Sequence, residues 1–106
     1  MAQQTDIVRE IEALLDGAHA PSLDELENTL TSGYAAALAL EAERWRIERG
    51  IAEAASTLGD GEAQGPTQEL ARLGRRLSVA ADDLETLRAL LASLRDRADA
   101  ARAAAA

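Results

Sequence analysis

Trp45 is the only tryptophan of this chain and its largest side chain available for recognition. At about 100° per residue, Tyr34, Leu38 and Trp45 lie about 80–120° from the main apolar stripe of their helix. A helix packed on that stripe would leave this second edge partly uncovered. We expect Trp45 to pack beside the next helix near Leu77 and Val79, to contact a second copy, or to contact another protein or a ligand.

Leu90 is a further large apolar residue that lies off the main stripe of its own helix. The candidate interface therefore consists of Tyr34, Leu38, Trp45 and Leu90. These side chains can bind by burying apolar surface.

Arg44 is unusual because it interrupts the apolar stripe itself. We expect its aliphatic stem to lie over Ala80 while the guanidinium reaches Asp83 or solvent. Two other roles stay open for this residue. It could bind a buried anion, or it could set the register or the oligomeric state as a polar residue within a helical seam.

The residue types needed for catalysis are scarce. The chain has no cysteine and no lysine, and His19 is its single histidine. We expect His19 to be solvated between two helices, and the Glu-x-x-His pattern of di-iron bundles is absent. Gly59-Asp60-Gly61 is typical of a turn, since too few spaced oxygen ligands follow it for a cation loop. We expect no enzyme, no metal site and no cofactor.

Two arginine clusters lie in the last predicted helix. They are Arg72, Arg75 and Arg76, followed by Arg95, Arg97 and Arg102. Aspartates are interspersed among them at Asp82, Asp83, Asp96 and Asp99. This pattern favours a solvated face of ion pairs within the helix over the net basic face that nucleic acid requires. We expect no nucleic acid and no membrane as partners.

Composition indicates a small helical protein. The 106 residues carry a net charge of −8, of which residues 22–58 contribute −4 and residues 66–106 contribute +1. All eleven basic residues are arginine and alanine is abundant, which we attribute to a GC-rich bacterial genome. No apolar stretch reaches the roughly 18–20 residues that a membrane span needs, and we see no secretory signal. We expect a cytoplasmic protein with one domain, residues 1–106.

Periodicity and capping signals predict three helices and no strand. The first covers about 5–16, with Thr5 or Asp6 as its cap and Gly17 at its end. The second covers about 22–57 and begins at a capping box formed by Ser22 and Glu25. After a loop at 58–65, the third covers about 66–101 from Pro66, followed by a frayed tail at 102–106.

The two long helices each carry an apolar stripe with steps of three and four residues. The upstream stripe is Leu23, Leu26, Leu30, Gly33, Ala37, Leu40, Arg44, Ile47, Ile51 and Ala54. The downstream stripe is Leu70, Leu73, Leu77, Ala80, Leu84, Leu87, Leu91, Leu94, Ala98 and Ala101. The fold class is thus all-α: an antiparallel, coiled-coil-like helical hairpin with a short N-terminal helix, which two copies could extend into a four-helix bundle.

Size matching favours one register for the two stripes. When the chain folds back on itself, each upstream residue faces one downstream residue, and the two residue numbers add up to a constant. A constant of 124 places small residues opposite large ones, as in Gly33 with Leu91, and puts the hinge at residue 62. A slipped register with a sum of 117 would instead pair Leu26 with Leu91. The first register leaves no glycine or alanine facing another, so we favour it.

These features predict a non-enzymatic helical interaction or structural module that associates with itself as a homodimer. The alternative is an acidic adaptor or inhibitor that binds a basic partner protein. A metal-binding helical bundle is a distant third.

Overall fold

The computed structural model of the protein describes residues 3–17, 20–59 and 64–105. This part of the chain forms three α-helices and no strand: α1 (Gln3–Leu15), α2 (Leu23–Gly59) and α3 (Gln64–Ala105). The predicted all-α class is therefore confirmed. None of the described helices combines the length and the apolar character needed to cross a membrane.

The capping box predicted at the start of α2 is present. The backbone N–H of Glu25 donates to Oγ of Ser22 over 3.1 Å, and the N–H of Ser22 donates to Oε1 of Glu25 over 2.9 Å. These bonds satisfy two donors that have no partner within the helix. Ser22 is consequently the N-cap, and the helix proper begins at Leu23.

The bounds of α1 differ slightly from the prediction. The helix begins at Gln3, so Asp6 lies within the first turn, where its charge complements the positive end of the helix dipole, and is not the cap. At the other end, Gly17 has a φ of 77°, a left-handed conformation that glycine adopts at little cost. The predicted glycine terminator is thus confirmed.

The predicted loop at 58–65 is too long, because both long helices extend into it. Leu58 and Gly59 belong to α2, and α3 begins at Gln64, two residues before Pro66. A proline fits there because the first N–H groups of a helix have no intrahelical acceptor. The predicted hinge at residue 62 lies outside the described residues, as do Asp60 and Gly61.

The predicted frayed tail at 102–106 is also corrected, since α3 continues to Ala105. Alanine has the highest helix propensity, and Arg102 in the last turn interacts favourably with the helix dipole. Arg102 additionally pairs with Asp99 and with Glu27 of α2. The final residue, Ala106, lies outside the described part.

The chain divides into two compact units. The first unit comprises Met1–Ala39 and Glu85–Ala106, and the second comprises Leu40–Leu84. In the first unit, apolar residues of all three helices are buried: Ile7, Ile11, Leu26, Leu30, Leu87, Leu91, Leu94 and Ala98. In the second unit, Leu40, Ile47, Leu73, Ala80 and Leu84 are buried. Ile51 and Leu77 pack against the cluster of Ile47, Leu73 and Ala80.

The two predicted stripes account for the α2 and α3 residues of both cores. Every member of either stripe is buried or half-buried in its own unit. The short helix α1 adds Ile7 and Ile11 to the first unit. At 13 residues, α1 would be marginally stable alone, so this apolar burial is what holds it in place.

Gly33 lies where helices of the first unit approach closely. A Cβ added at Gly33 would overlap Cδ2 of Leu91 and would lie 3.5 Å from Cδ1 of Ile11. The missing side chain therefore lets α1 and α3 both approach α2 at one level. This contact is the predicted pairing of Gly33 with Leu91.

Two glycine-to-alanine substitutions should have opposite effects on stability. In Gly33→Ala the new methyl group must displace the buried Leu91, and overpacking costs about 1–3 kcal/mol, which exceeds the gain in helix propensity. We expect a net loss of about 1 kcal/mol in the free energy of unfolding. Gly74→Ala is the matched control, because a Cβ at Gly74 has no neighbour within 4 Å.

Gly74→Ala should raise the free energy of unfolding by up to about 1 kcal/mol through helix propensity alone. Urea denaturation followed by circular dichroism measures both variants. Equal stabilisation by the two substitutions would show that Gly33 is not closely packed.

Candidate functional site

Trp45 is the most exposed of the large apolar residues described in the second unit. The residue is 70% accessible, although its indole carries a large apolar area and a single polar N–H. Cover by α3 near Leu77 and Val79, one of the expected arrangements, therefore does not extend over most of the residue. Val79 is itself 60% exposed, whereas Leu77 packs into the core.

The first unit holds the other three candidate interface residues. Leu38 is 67% exposed and Tyr34 is 44% exposed, and both belong to α2. They are four residues apart, so their side chains are neighbours on one helix face. Leu90 of α3 is half-buried and contributes less free surface.

Two exposed apolar residues were not among the candidate interface residues. Val79 is predicted only to pack beside Trp45, and Leu58 lies in the predicted loop at 58–65. Helical periodicity could have identified Val79, since it lies two residues from Leu77 and therefore points away from the stripe. Leu58 carried no such signal before the end of α2 was known.

Arg44 pairs differently from the prediction. Its Nε lies 3.6 Å from Oε2 of Glu48, one turn along the same helix. Residues four apart are neighbours on a helix surface, so the guanidinium pairs there with Glu48 instead of Asp83, and the predicted alternative of a solvent-exposed guanidinium agrees with this position. The side chain remains 43% exposed, so the alternative of a buried anion site is wrong.

Glu43 connects α2 to α3 within the second unit. Nη2 of Arg46 donates to Oε2 of Glu43 over 3.0 Å, and Nη2 of Arg76 donates to Oε1 over 2.7 Å. One carboxylate thus bridges an arginine of its own helix and an arginine of α3. A groove of about 260 Å³ lies beside it, lined also by Ile47 and Leu73.

This arrangement lowers the pKa of Glu43. The hydrogen bond from Arg46 is the main cause; burial opposes it, and the charges of Arg46 and Arg76 and the hydrogen bond from Arg76 add to the lowering. Glu43 therefore stays ionised at lower pH than an ordinary glutamate. The hydrogen bond from Arg72 likewise lowers the pKa of Glu69.

A second ion-pair cluster links α2 to α3 in the first unit. Nη2 of Arg102 lies 3.0 Å from Oε2 of Glu27 and its Nη1 lies 2.6 Å from Oδ1 of Asp99. Arg97 donates to the backbone carbonyl oxygen of Leu15 over 3.1 Å. That oxygen belongs to the last turn of α1, where carbonyls lack intrahelical partners, so Arg97 caps α1.

The arginine clusters thus have two roles. Ion pairs within the helix occur as predicted, between Arg72 and Glu69 and between Arg102 and Asp99. Three of the six clustered arginines also reach another helix: Arg76, Arg97 and Arg102. Sequence reasoning missed these contacts between helices, because they depend on which flanks of the helices meet.

The single histidine is the only residue that the sequence offered as a potential metal ligand of nitrogen type. His19 lies outside the described residues. Within the ranges that the structure describes, no group of three or more histidine, aspartate or glutamate side chains is placed to hold a metal ion. No family model, curated protein or solved structure matches this chain.

Replacing Glu43 should weaken the second unit in a pH-dependent way. In Glu43→Gln both arginines lose a charged acceptor, and we expect the free energy of unfolding at neutral pH to fall by about 1 kcal/mol or less. A lowered pKa means that this stabilisation is present above pH 4.5, the ordinary value for glutamate, and disappears as the pH falls through the lower value of the folded state.

The difference between wild type and Glu43→Gln should therefore shrink on acidification below about pH 4.5. Urea denaturation at several pH values measures it. Glu53→Gln serves as the control, since Glu53 is an exposed glutamate of the same helix segment. A difference that persists unchanged into strong acid would contradict an ionic role for Glu43.

Proposed function

We propose that this protein is a non-enzymatic helical interaction module that associates with a second copy of itself. The exposure of Trp45 is the observation that carries the proposal. Tryptophan is enriched among the residues that dominate binding energy at protein interfaces. A single exposed leucine would mean little, but an indole that is 70% exposed leaves a large apolar surface in water.

The remaining exposed residues of α2 extend this argument. Leu38 and Tyr34 in the first unit leave apolar surface on the same helix that carries Trp45 in the second. A second copy could cover such residues in a two-fold arrangement, in which each copy contributes the same residues. The proposal places the protein in the cytoplasm and includes no cofactor, metal, nucleic acid or membrane.

We further propose that α2 and α3 form an antiparallel hairpin. In the first unit, Glu27 pairs with Arg102 and Gly33 faces Leu91, so the α3 partner number falls as the α2 number rises. In the second unit, Glu43 pairs with Arg76, and a Cβ on Gly50 would lie 3.2 Å from Cδ1 of Leu73. Contacts in both units thus support the antiparallel order and the register with a sum near 124.

The hairpin register can be tested with engineered cysteines. Leu40→Cys with Leu84→Cys should form a disulfide on mild oxidation, because 40 and 84 sum to 124 and the two leucines are both buried in the second unit. The chain has no native cysteine, so the disulfide is unambiguous. The disulfide is detected in two ways. After partial proteolysis, the linked fragments migrate together on a non-reducing gel, and mass spectrometry identifies the linked peptides.

Leu26→Cys with Leu91→Cys is the matched control for the slipped register. These two positions should stay unlinked, because Leu91 faces Gly33, which lies about 10 Å along the helix from residue 26. Efficient linkage of this pair would overturn the favoured register. Both cysteine pairs should be examined in dilute protein, so that links within one chain dominate.

Self-association can be tested by analytical ultracentrifugation of the intact chain. We expect a mass twice the monomer value of 11.2 kDa, with Trp45 emission shifted to the blue. Trp45→Ala should raise the dimer dissociation constant about 30-fold or more, the equivalent of a hot-spot loss of about 2 kcal/mol. Because Trp45 is exposed, its removal should leave the helix content unchanged.

Leu58→Ala is the control for that substitution, since Leu58 is an exposed apolar residue of the same helix that lies outside the proposed interface, about 20 Å along the helix from Trp45. It should leave the dimer intact. A wild-type monomer with red-shifted emission at all concentrations would refute self-association. It would instead favour the second candidate function, an acidic adaptor or inhibitor with Trp45 free for a different protein.

A further inference from the structure

An open groove of about 370 Å³ separates α1 from α2 in the first unit. Asp6, Ile7 and Glu10 line it on the side of α1. Ser32, Ala35, Ala36 and Ala39 line it on the side of α2. The groove lies within one unit and includes none of the four candidate interface residues, so its role is independent of self-association.

The groove exists because one wall is made of small side chains. The residues of this wall follow one another at steps of three, one and three, so they share one face of α2: Ser32, Ala35, Ala36 and Ala39. Alanine ends at Cβ, and a row of alanines leaves space beside a neighbouring helix. Buried Ile7 anchors α1 at the base of this space, which gives the groove an apolar floor.

The rim of the groove is negatively charged. Asp6 and Glu10 are one helical turn apart on α1, and both are exposed. Neither carboxylate forms an ion pair or a side-chain hydrogen bond with another of the described residues. Residues 6–16 carry a net charge of −3 because Arg9 is outnumbered by four carboxylates. A cation beside the alanine wall would therefore meet two exposed carboxylates.

We propose that this groove receives a lysine or arginine side chain from a basic helix of a different protein. The methylene stem of such a side chain would lie along the alanine wall of the groove, while its charged head reaches the rim. Asp6 and Glu10 then supply charged acceptors, and the Ser32 hydroxyl supplies a neutral one. For this acidic groove, the net charge of −8 favours a basic protein over a second copy of the chain, which is equally acidic.

The probe for this proposal is an alanine-rich helical peptide with arginines along one face, compared with a peptide that has glutamines instead. The arginine peptide should bind, and the backbone amide signals of Ala35, Ala36 and Ala39 should shift in NMR spectra. Asp6→Asn combined with Glu10→Gln should raise the peptide dissociation constant about fivefold to tenfold.

Glu12→Gln combined with Asp16→Asn is the matched control. It removes the same two charges from α1, but these residues do not line the groove. It should change the dissociation constant by less than about twofold, because only the long-range attraction is reduced. Ala35→Leu keeps every charge and fills the groove, so it should weaken binding as much as the loss of Asp6 and Glu10. Circular dichroism confirms that each variant keeps its helices.

Three results would overturn the proposal: no binding of the arginine peptide, equal loss in both double variants, or NMR shifts confined to the surroundings of Trp45. The Trp45→Ala variant separates this proposal from self-association. It should bind the peptide with the wild-type dissociation constant, whether or not the wild-type protein forms a dimer.

Discussion

The absence of a side chain at Gly33 is the constraint on which the first unit depends. It allows Leu91 of α3 and Ile11 of α1 to meet α2 at the same level. A side chain here would overlap Leu91, and one larger than a methyl group would also crowd Ile11. The burial of Ile7 and Ile11 holds α1, a helix too short to be stable alone, and α1 in turn forms one side of the groove beside Ser32 and Ala39.

Charged side chains add specificity around the apolar cores. Two ion pairs connect α2 to α3 beside the buried stripes. Glu43 pairs with Arg76 in the second unit, and Glu27 pairs with Arg102 in the first. Exposed ion pairs contribute little stability individually, but a shift of α3 by seven residues would put Glu69 in the place of Arg76 opposite Glu43. The leucine stripes therefore supply most of the driving force, while the arginines help to select one pairing among those that the stripes allow.

Much of the fold was predictable because helical patterns are local. The apolar period identified every α2 and α3 residue of the two cores, and the Ser22–Glu25 capping box located the start of α2. The helix ends were less predictable. A proline in the first turn is compatible with an earlier start of α3, and an alanine tail can remain helical to Ala105, so neither signal marks a boundary by itself.

The sequence by itself determined the class of fold, the buried stripes and the edge that carries Trp45, since each follows from a period of 3.6 residues along a single helix. Tertiary structure alone decided that Glu43 bridges two arginines, that Arg97 caps α1 and that alanines and carboxylates line one groove. Those features join residues far apart in the chain. Their meeting depends on which helix flanks face each other and at what distance, and periodicity within one helix carries no information about either.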